Sequence, residues 1–91
     1  MKIILRIHAI QRMFERSISA ADIRAVLEYG ETIENYPDDT HYPGRLVLGW
    51  HGKRLLHVVV ADNPAENAHI IITVYEPDPT QWTSDFKRRT R

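Results

Sequence analysis

Six side chains of this chain have the types and spacing for acid–base work without a metal. His8, Arg12 and Arg16 follow one another at i, i+4 and i+8, which on a helix sets them along one side. His57, Thr73 and Tyr75 fall in two apolar runs with strand character further on. One reaction fits such a set. Cleaving RNA without a metal calls for a group that takes the 2′-hydroxyl proton, a group that protonates the leaving 5′-oxygen, and a cation that steadies charge on the phosphorane. Histidine suits either proton role near neutral pH, and the planar fork of arginine can hold two phosphate oxygens at once.

Each of these residues also has a plainer reading. His8 and Arg12 can form a solvated helix face, and Arg16 can serve only to neutralise a nearby carboxylate. A histidine on an apolar strand is more often a hydrogen-bonded core residue than a proton donor. Thr73 and Tyr75 are residue types that favour strands for packing reasons alone. His41, His51 and His69 lie in or beside turns and carry no distinguishing context.

The elements that must position these side chains follow from periodicity. At about 100° per residue, a first helix over His8 to Arg16 gathers Ile7, Ile10, Met13 and Phe14 on one side, and that side is expected to face the sheet. His8, Arg12 and Glu15 then point the other way, with Arg16 at the edge. A second helix begins at Ser19, which can cap it while Asp22 reaches back from the third helical position and Ile18 staples against Ile23. Ile23, Val26 and Leu27 give its buried stripe, and Gly30 is placed to end it in the left-handed conformation.

After Gly30 the period becomes two. Glu31 to Tyr36 reads as a polar edge strand, stopped by Pro37-Asp38-Asp39 and a loop through His41-Tyr42-Pro43-Gly44. Arg45 to Trp50 and Arg54 to Ala61 form a hairpin about a turn at His51-Gly52. The second of these strands is apolar on both sides, which marks it as central, and His57 shares a side with Leu55 and Val59. A turn over Asp62 to Asn67 leads into a last strand, His69 to Tyr75. On strict alternation Ile70, Ile72 and Val74 share one side of it, and His69, Ile71, Thr73 and Tyr75 the other. Pro77 and Pro79 close that strand, and Trp82 with Phe86 fastens the C-terminal segment back on the body. The predicted class is α+β, two N-terminal helices packed on a mostly antiparallel sheet of about four strands, within one domain spanning 1–91.

Composition narrows the function classes. With 43% hydrophobic and 26% charged residues over 91 positions, the chain has the balance of a globular protein able to bury one core. Cysteine is absent, which removes disulfides, thiolate metal sites and a cysteine nucleophile. There is no Gly-rich phosphate loop, no His-x-x-x-His pair and no carboxylate cluster, so neither a cofactor nor a metal is expected. The opening Met-Lys-Ile-Ile-Leu-Arg is too short for the apolar part of a signal peptide, and no later run approaches membrane-spanning length. A cytoplasmic location away from the membrane is expected. Net charge is zero, but Lys87, Arg88, Arg89 and Arg91 crowd the C-terminus, and without them 8 basic residues stand against 12 acidic ones. Any attraction for nucleic acid is therefore local to that tail, which otherwise serves as a solubilising end.

Three stretches carry a family resemblance over nearly the whole chain. They are His8-Ala9-Ile10-Gln11-Arg12-Met13-Phe14-Glu15-Arg16-Ser17-Ile18-Ser19, Val26-Leu27-Glu28-Tyr29-Gly30-Glu31-Thr32-Ile33-Glu34, and Ile72-Thr73-Val74-Tyr75-Glu76-Pro77-Asp78. In these the chain resembles the bacterial domain-of-unknown-function family 4258, whose members are similar to the RelE/ParE-like toxin fold. The resemblance implies the order helix, helix, antiparallel sheet, and a metal-independent ribonuclease role. It maps the His-x-x-x-Arg-x-x-x-Arg pattern onto His8, Arg12 and Arg16, and the polar last-strand positions onto Thr73 and Tyr75.

Two functions from different classes follow as expectations. In one the chain is a toxin-like endoribonuclease, with His8 as base or acid, Arg12 and Arg16 on the phosphate, Tyr75 or His57 assisting, and an antitoxin covering the active face. RNA or the ribosome is then the target. In the other the same fold only binds a protein or a nucleic acid. A self-associating domain that pairs through an exposed hairpin edge is a third.

Overall fold

The computed structural model describes residues 1–37 and 42–90. The expected turn residues Asp38, Asp39 and His41, and Arg91 of the basic tail, lie outside the described residues. In chain order the elements are β1 (Lys2–Leu5), α1 (Ile7–Arg16), α2 (Ala20–Tyr29), β2 (Glu31–Tyr36), β3 (Gly44–His51), β4 (Arg54–Asn63), a 3₁₀ turn at Pro64–Glu66, and β5 (Ala68–Tyr75). The protein is α+β, with two helices and one mixed five-stranded sheet of order β1-β5-β4-β3-β2.

The fifth strand, β1, corrects the expected count of four. Only four residues long, it shows too little alternation to stand out from the sequence, and its partner lies at the far end of the described sheet-forming sequence. It pairs parallel to β5, with Ile3 opposite His69 and Leu5 opposite Ile71. β5 is paired along both edges, by β4 on one and by β1 on the other. The remaining pairs are antiparallel, and β2 is the edge strand that its polar pattern predicted.

The helices lie on one face of the sheet, α1 over β5 and α2 over β3. Between them and the sheet Ala9, Ile18, Ile23 and Val26 pack with Val47, Leu56, Val58, Val60, Ile71 and Val74, all buried. Each large aliphatic side chain so buried contributes roughly 1.5–3 kcal/mol. The capping box forms as read: the Ser19 hydroxyl accepts from the Asp22 N–H at 3.1 Å, and the Asp22 carboxylate accepts from the Ser19 N–H at 2.8 Å.

Helix α1 corrects a second expectation. Most of its expected apolar side does not face the sheet: Ile7 is 75% exposed, Ile10 49% and Phe14 89%. Of the expected four Met13 alone packs against the core, and Ala9 completes the inward stripe. A small residue at the closest approach lets the helix lie near β5, whereas the larger apolar stripe would hold it away. Ser17, in the left-handed region at φ 53°, ends this helix, and Arg54 donates to the carbonyls of Arg16 and Ser17, both at 2.7 Å. A cation at that end also suits the helix dipole.

Gly30 differs from expectation as well. It is extended, at φ −82° and ψ −178°, and its N–H simply continues the helical bonding to the Val26 carbonyl at 2.8 Å. Glycine is needed there for space: a Cβ would stand 2.6 Å from the Leu48 carbonyl oxygen. The hairpin turn does use positive φ, at Gly52 (63°), in a two-residue loop with Lys53, as a type II′ turn requires.

Candidate functional site

The sheet face turned away from the helices carries three of the candidate residues, His57, Thr73 and Tyr75. Cross-strand pairing sets Leu48, His57 and Tyr75 in one row across β3, β4 and β5, with Val59 opposite Thr73 in the next. Strict alternation along β5 would have put Tyr75 and Thr73 on the helix face with Ile71. A bulge at Ile72 prevents it, because the pairing steps from Val60–Ile71 to Val59–Thr73 and skips one residue of β5. Beyond that point Thr73 and Tyr75 share the face of His57, while Val74 joins the core under the helices.

His57 is fully buried. Its Nε2 lies 2.9 Å from the Phe86 carbonyl oxygen and its Nδ1 3.2 Å from the Tyr75 hydroxyl. A carbonyl only accepts, so Nε2 carries the proton and donates to it. In the neutral ring Nδ1 is then the acceptor, and the Tyr75 O–H donates to it. Burial pushes the imidazole below its ordinary value, the nearby Arg89 charge adds to that, and the Phe86 carbonyl partly offsets both. The Tyr75 phenol is raised, chiefly by burial. The resting pair is therefore neutral on both sides.

The C-terminal segment forms the roof. The buried Trp82 ring meets the His57 ring edge-on, with centroids 4.4 Å apart. Arg89 bridges back to Trp82 and sets its guanidinium 4.7 Å from the indole centroid. Phe86, whose carbonyl holds His57, has φ 61°, a conformation that costs a large residue energy and is kept here by the bonds on either side. Glu34 and Tyr36 of β2 join the same face, with the Tyr36 hydroxyl donating to Glu34 at 3.1 Å. Burial first and the Glu34 carboxylate second push the Tyr36 phenol up to about 12. Both Tyr36 and Tyr75 feel the charge of Arg89.

The structure thus separates the six candidate residues into two groups. His57, Thr73 and Tyr75 lie together on the open face. His8, Arg12 and Arg16 are on α1, across the sheet from them. There His8 is exposed, Arg12 pairs with Glu15 at 3.6 Å, and the Arg16 carbonyl is engaged by Arg54. Of the basic tail, Arg89 reaches the open face, Lys87 pairs with Glu31 at 3.0 Å, and Arg88 is exposed. Glu34 and Tyr36 were missed by the sequence reading, although the period of two along β2 already set them on one side. Trp82 and Phe86 were read only as fastenings.

Among the described residues no group of three or more His, Asp or Glu side chains is disposed to hold a metal ion. No helix among them is long and apolar enough to cross a membrane. A second polar cluster lies on the helix face: Asp62 accepts from Arg45 at 2.7 Å and from His69 at 2.7 Å. Burial would raise the Asp62 carboxyl, but these two bonds outweigh it and hold it below the usual carboxylate range.

A mixed sheet with two helices on one face and a histidine–tyrosine pair under an aromatic roof on the other defines the structural class. The model of the family described as Domain of unknown function (DUF4258) matches residues 5–76, and the chain belongs to that family. No curated protein and no solved structure matches it. His57 and Tyr75 fall inside the matched span, while Trp82, Phe86 and Arg89, which complete the roof, follow it.

Proposed function

We propose that this protein is a metal-independent endoribonuclease of the RelE/ParE-like toxin class, acting in the cytoplasm through the open face of its sheet. The observation that carries this reading is the Tyr75–His57 pair at 3.2 Å with the charge of Arg89 beside it. The phenolic oxygen takes the proton of an RNA 2′-hydroxyl as its own proton passes to Nδ1 of His57. The 2′-oxygen then attacks phosphorus, and the 5′-oxygen leaves with a proton from solvent. Arg89 steadies the phosphorane charge, and the Phe86 carbonyl holds the imidazolium that forms. An antitoxin partner for such an enzyme has to cover the face of Tyr75.

A second reading has its own support. Both nitrogens of His57 are taken and the ring is fully buried, which suits a histidine that only ties β4 to the roof. The fold would then bind RNA or a protein without cutting.

Cleavage of a mixed-sequence RNA, with EDTA present and with or without ribosomes, separates the two. The parent and His8→Ala are expected to cleave, since His8 lies across the sheet from the pair. Tyr75→Phe is expected to lose about a hundredfold or more. A parent inert under both conditions, or a fully active Tyr75→Phe, overturns the nuclease reading.

A further inference from the structure

Beside the roof, where α2 turns into β2, a cleft of about 390 Å³ opens between Tyr29 and Trp50. These aromatic side chains are 81% and 60% exposed, and among the described residues no aromatic partner covers either ring. Large apolar rings left in water at the rim of one cleft mark a binding surface more than a folding need. Three charged residues belong to its lining: Glu31, Asp85 and Lys87.

The polar groups are disposed unevenly. Asp85 uses Oδ1 to accept from the Thr83 hydroxyl at 2.6 Å and from the Lys87 N–H at 3.1 Å, and among the described residues no donor engages Oδ2. Lys87 meets Glu31 at 3.0 Å with one of its three ammonium protons. The cleft thus offers carboxylate acceptors and an ammonium donor between two exposed rings.

We infer that this cleft is a subsite for a guanine base, stacked against Trp50 and Tyr29 and read along its edge by Lys87, Asp85 and Glu31. Guanine presents the acceptor O6 next to the donors N1–H and N2–H₂, which matches an ammonium beside carboxylates. Adenine and cytosine each present one amino group beside a ring acceptor, and uracil a single N–H, so each leaves a carboxylate or the ammonium poorly matched. Stacking on such rings tolerates any base and supplies affinity, while the edge contacts supply the choice.

The inference deepens the ribonuclease reading and rests on it for the source of the base. Leu48, which also lines the cleft, shares its row with His57 and Tyr75. Two inter-strand spacings put the cleft floor about 10 Å from Tyr75 along that row. A guanine held there sits one or two nucleotides from the bond that Tyr75 serves.

Trp50 is its own probe, because Trp82 is buried under Arg89. Guanosine 5′-monophosphate titrated into the whole protein should quench Trp50 fluorescence saturably, with the adenosine, cytidine and uridine monophosphates at least about tenfold weaker. A single-stranded RNA with one guanine should bind more tightly than the free nucleotide if RNA is the source. Equal binding of the two assigns the site to the free nucleotide and overturns the RNA arm. Trp50→Phe should retain the guanine preference in competition with a labelled nucleotide, and Asp85→Ala should lose it. Equal quenching by all four nucleotides, or by none, overturns the inference. Tyr75→Phe should bind guanosine monophosphate as the parent does, so failure of cleavage and failure of the subsite are read separately.

Discussion

The phenolic oxygen of Tyr75 stands 3.2 Å from Nδ1 of His57 because a bulge at Ile72 turns the end of β5 over. One residue of slip decides which side of the sheet Tyr75 occupies. The two partners are not equal in what they hold. His57→Ala opens a hole and strands both the Phe86 carbonyl and the Tyr75 hydroxyl, so it should cost on the order of 2–4 kcal/mol. Tyr75→Phe removes one hydroxyl at the margin of the site and should cost about 0.5–1.5 kcal/mol. Urea denaturation of the two variants checks the order, and a Tyr75→Phe cost equal to that of His57→Ala would sink it.

Stability should fall on mild acidification for the same reason. The folded state holds the His57 imidazole below 6.5, its ordinary value, so below that pH the unfolded chain binds a proton that the folded chain resists. The contribution is whole above 6.5 and is lost as pH falls from there through the folded value. Asp62, held below 3.8, adds a second loss in the same direction at lower pH, as its bonds from Arg45 and His69 break. Thermal unfolding across this range should decline in both steps, and His57→Gln should lack the first. Persistence of the first step in that variant would assign it to another group.

Much of this architecture was legible from residue types. The Ser19–Asp22 box announced α2 because both bonds are local, and the polar pattern of β2 announced an edge because, among the described residues, one side of that strand has no neighbour. The C-terminal fastening was legible at Trp82, whose buried ring meets His57, whereas Phe86 is half-buried and holds on through its carbonyl. What failed depended on distant partners. β1 is defined by pairing with a strand more than sixty residues away, and the bulge at Ile72 by the register of β4, and neither leaves a local trace. The candidate site was half legible: His57, Tyr75 and Arg89 were named, but the face that joins them was hidden by the bulge.

The orientation of α1 gives a prediction that runs against hydropathy. Phe14 is the largest apolar residue of the helix and also its most exposed, while Ala9 is fully buried against the sheet. Phe14→Ser should therefore change stability by no more than about 0.5 kcal/mol, as surface substitutions do. Ala9→Leu should cost about 1–3 kcal/mol by overfilling the contact with β5. Denaturant midpoints of the two variants test this directly. A large loss from Phe14→Ser would mean that the apolar stripe is buried after all.

Tyr36 tests whether burial or charge dominates on the open face. Its phenol is raised from 10.0 to about 12, by burial first and by the Glu34 carboxylate second. A raised acid keeps its contribution to stability below 10.0 and loses it as pH climbs toward 12, because the unfolded chain releases the proton earlier. The tyrosinate absorbance of the folded protein should therefore show, besides the raised phenol of Tyr75, a phenol that ionises only at about 12. Comparison with Tyr36→Phe identifies it. In Glu34→Gln the late phenol should ionise earlier than in the parent and still later than 10.0, since the neutral amide removes the charge and leaves the burial. Full return to 10.0 would show that Glu34 alone raises the phenol, and the roofed face would then be as wet as the rest of the surface.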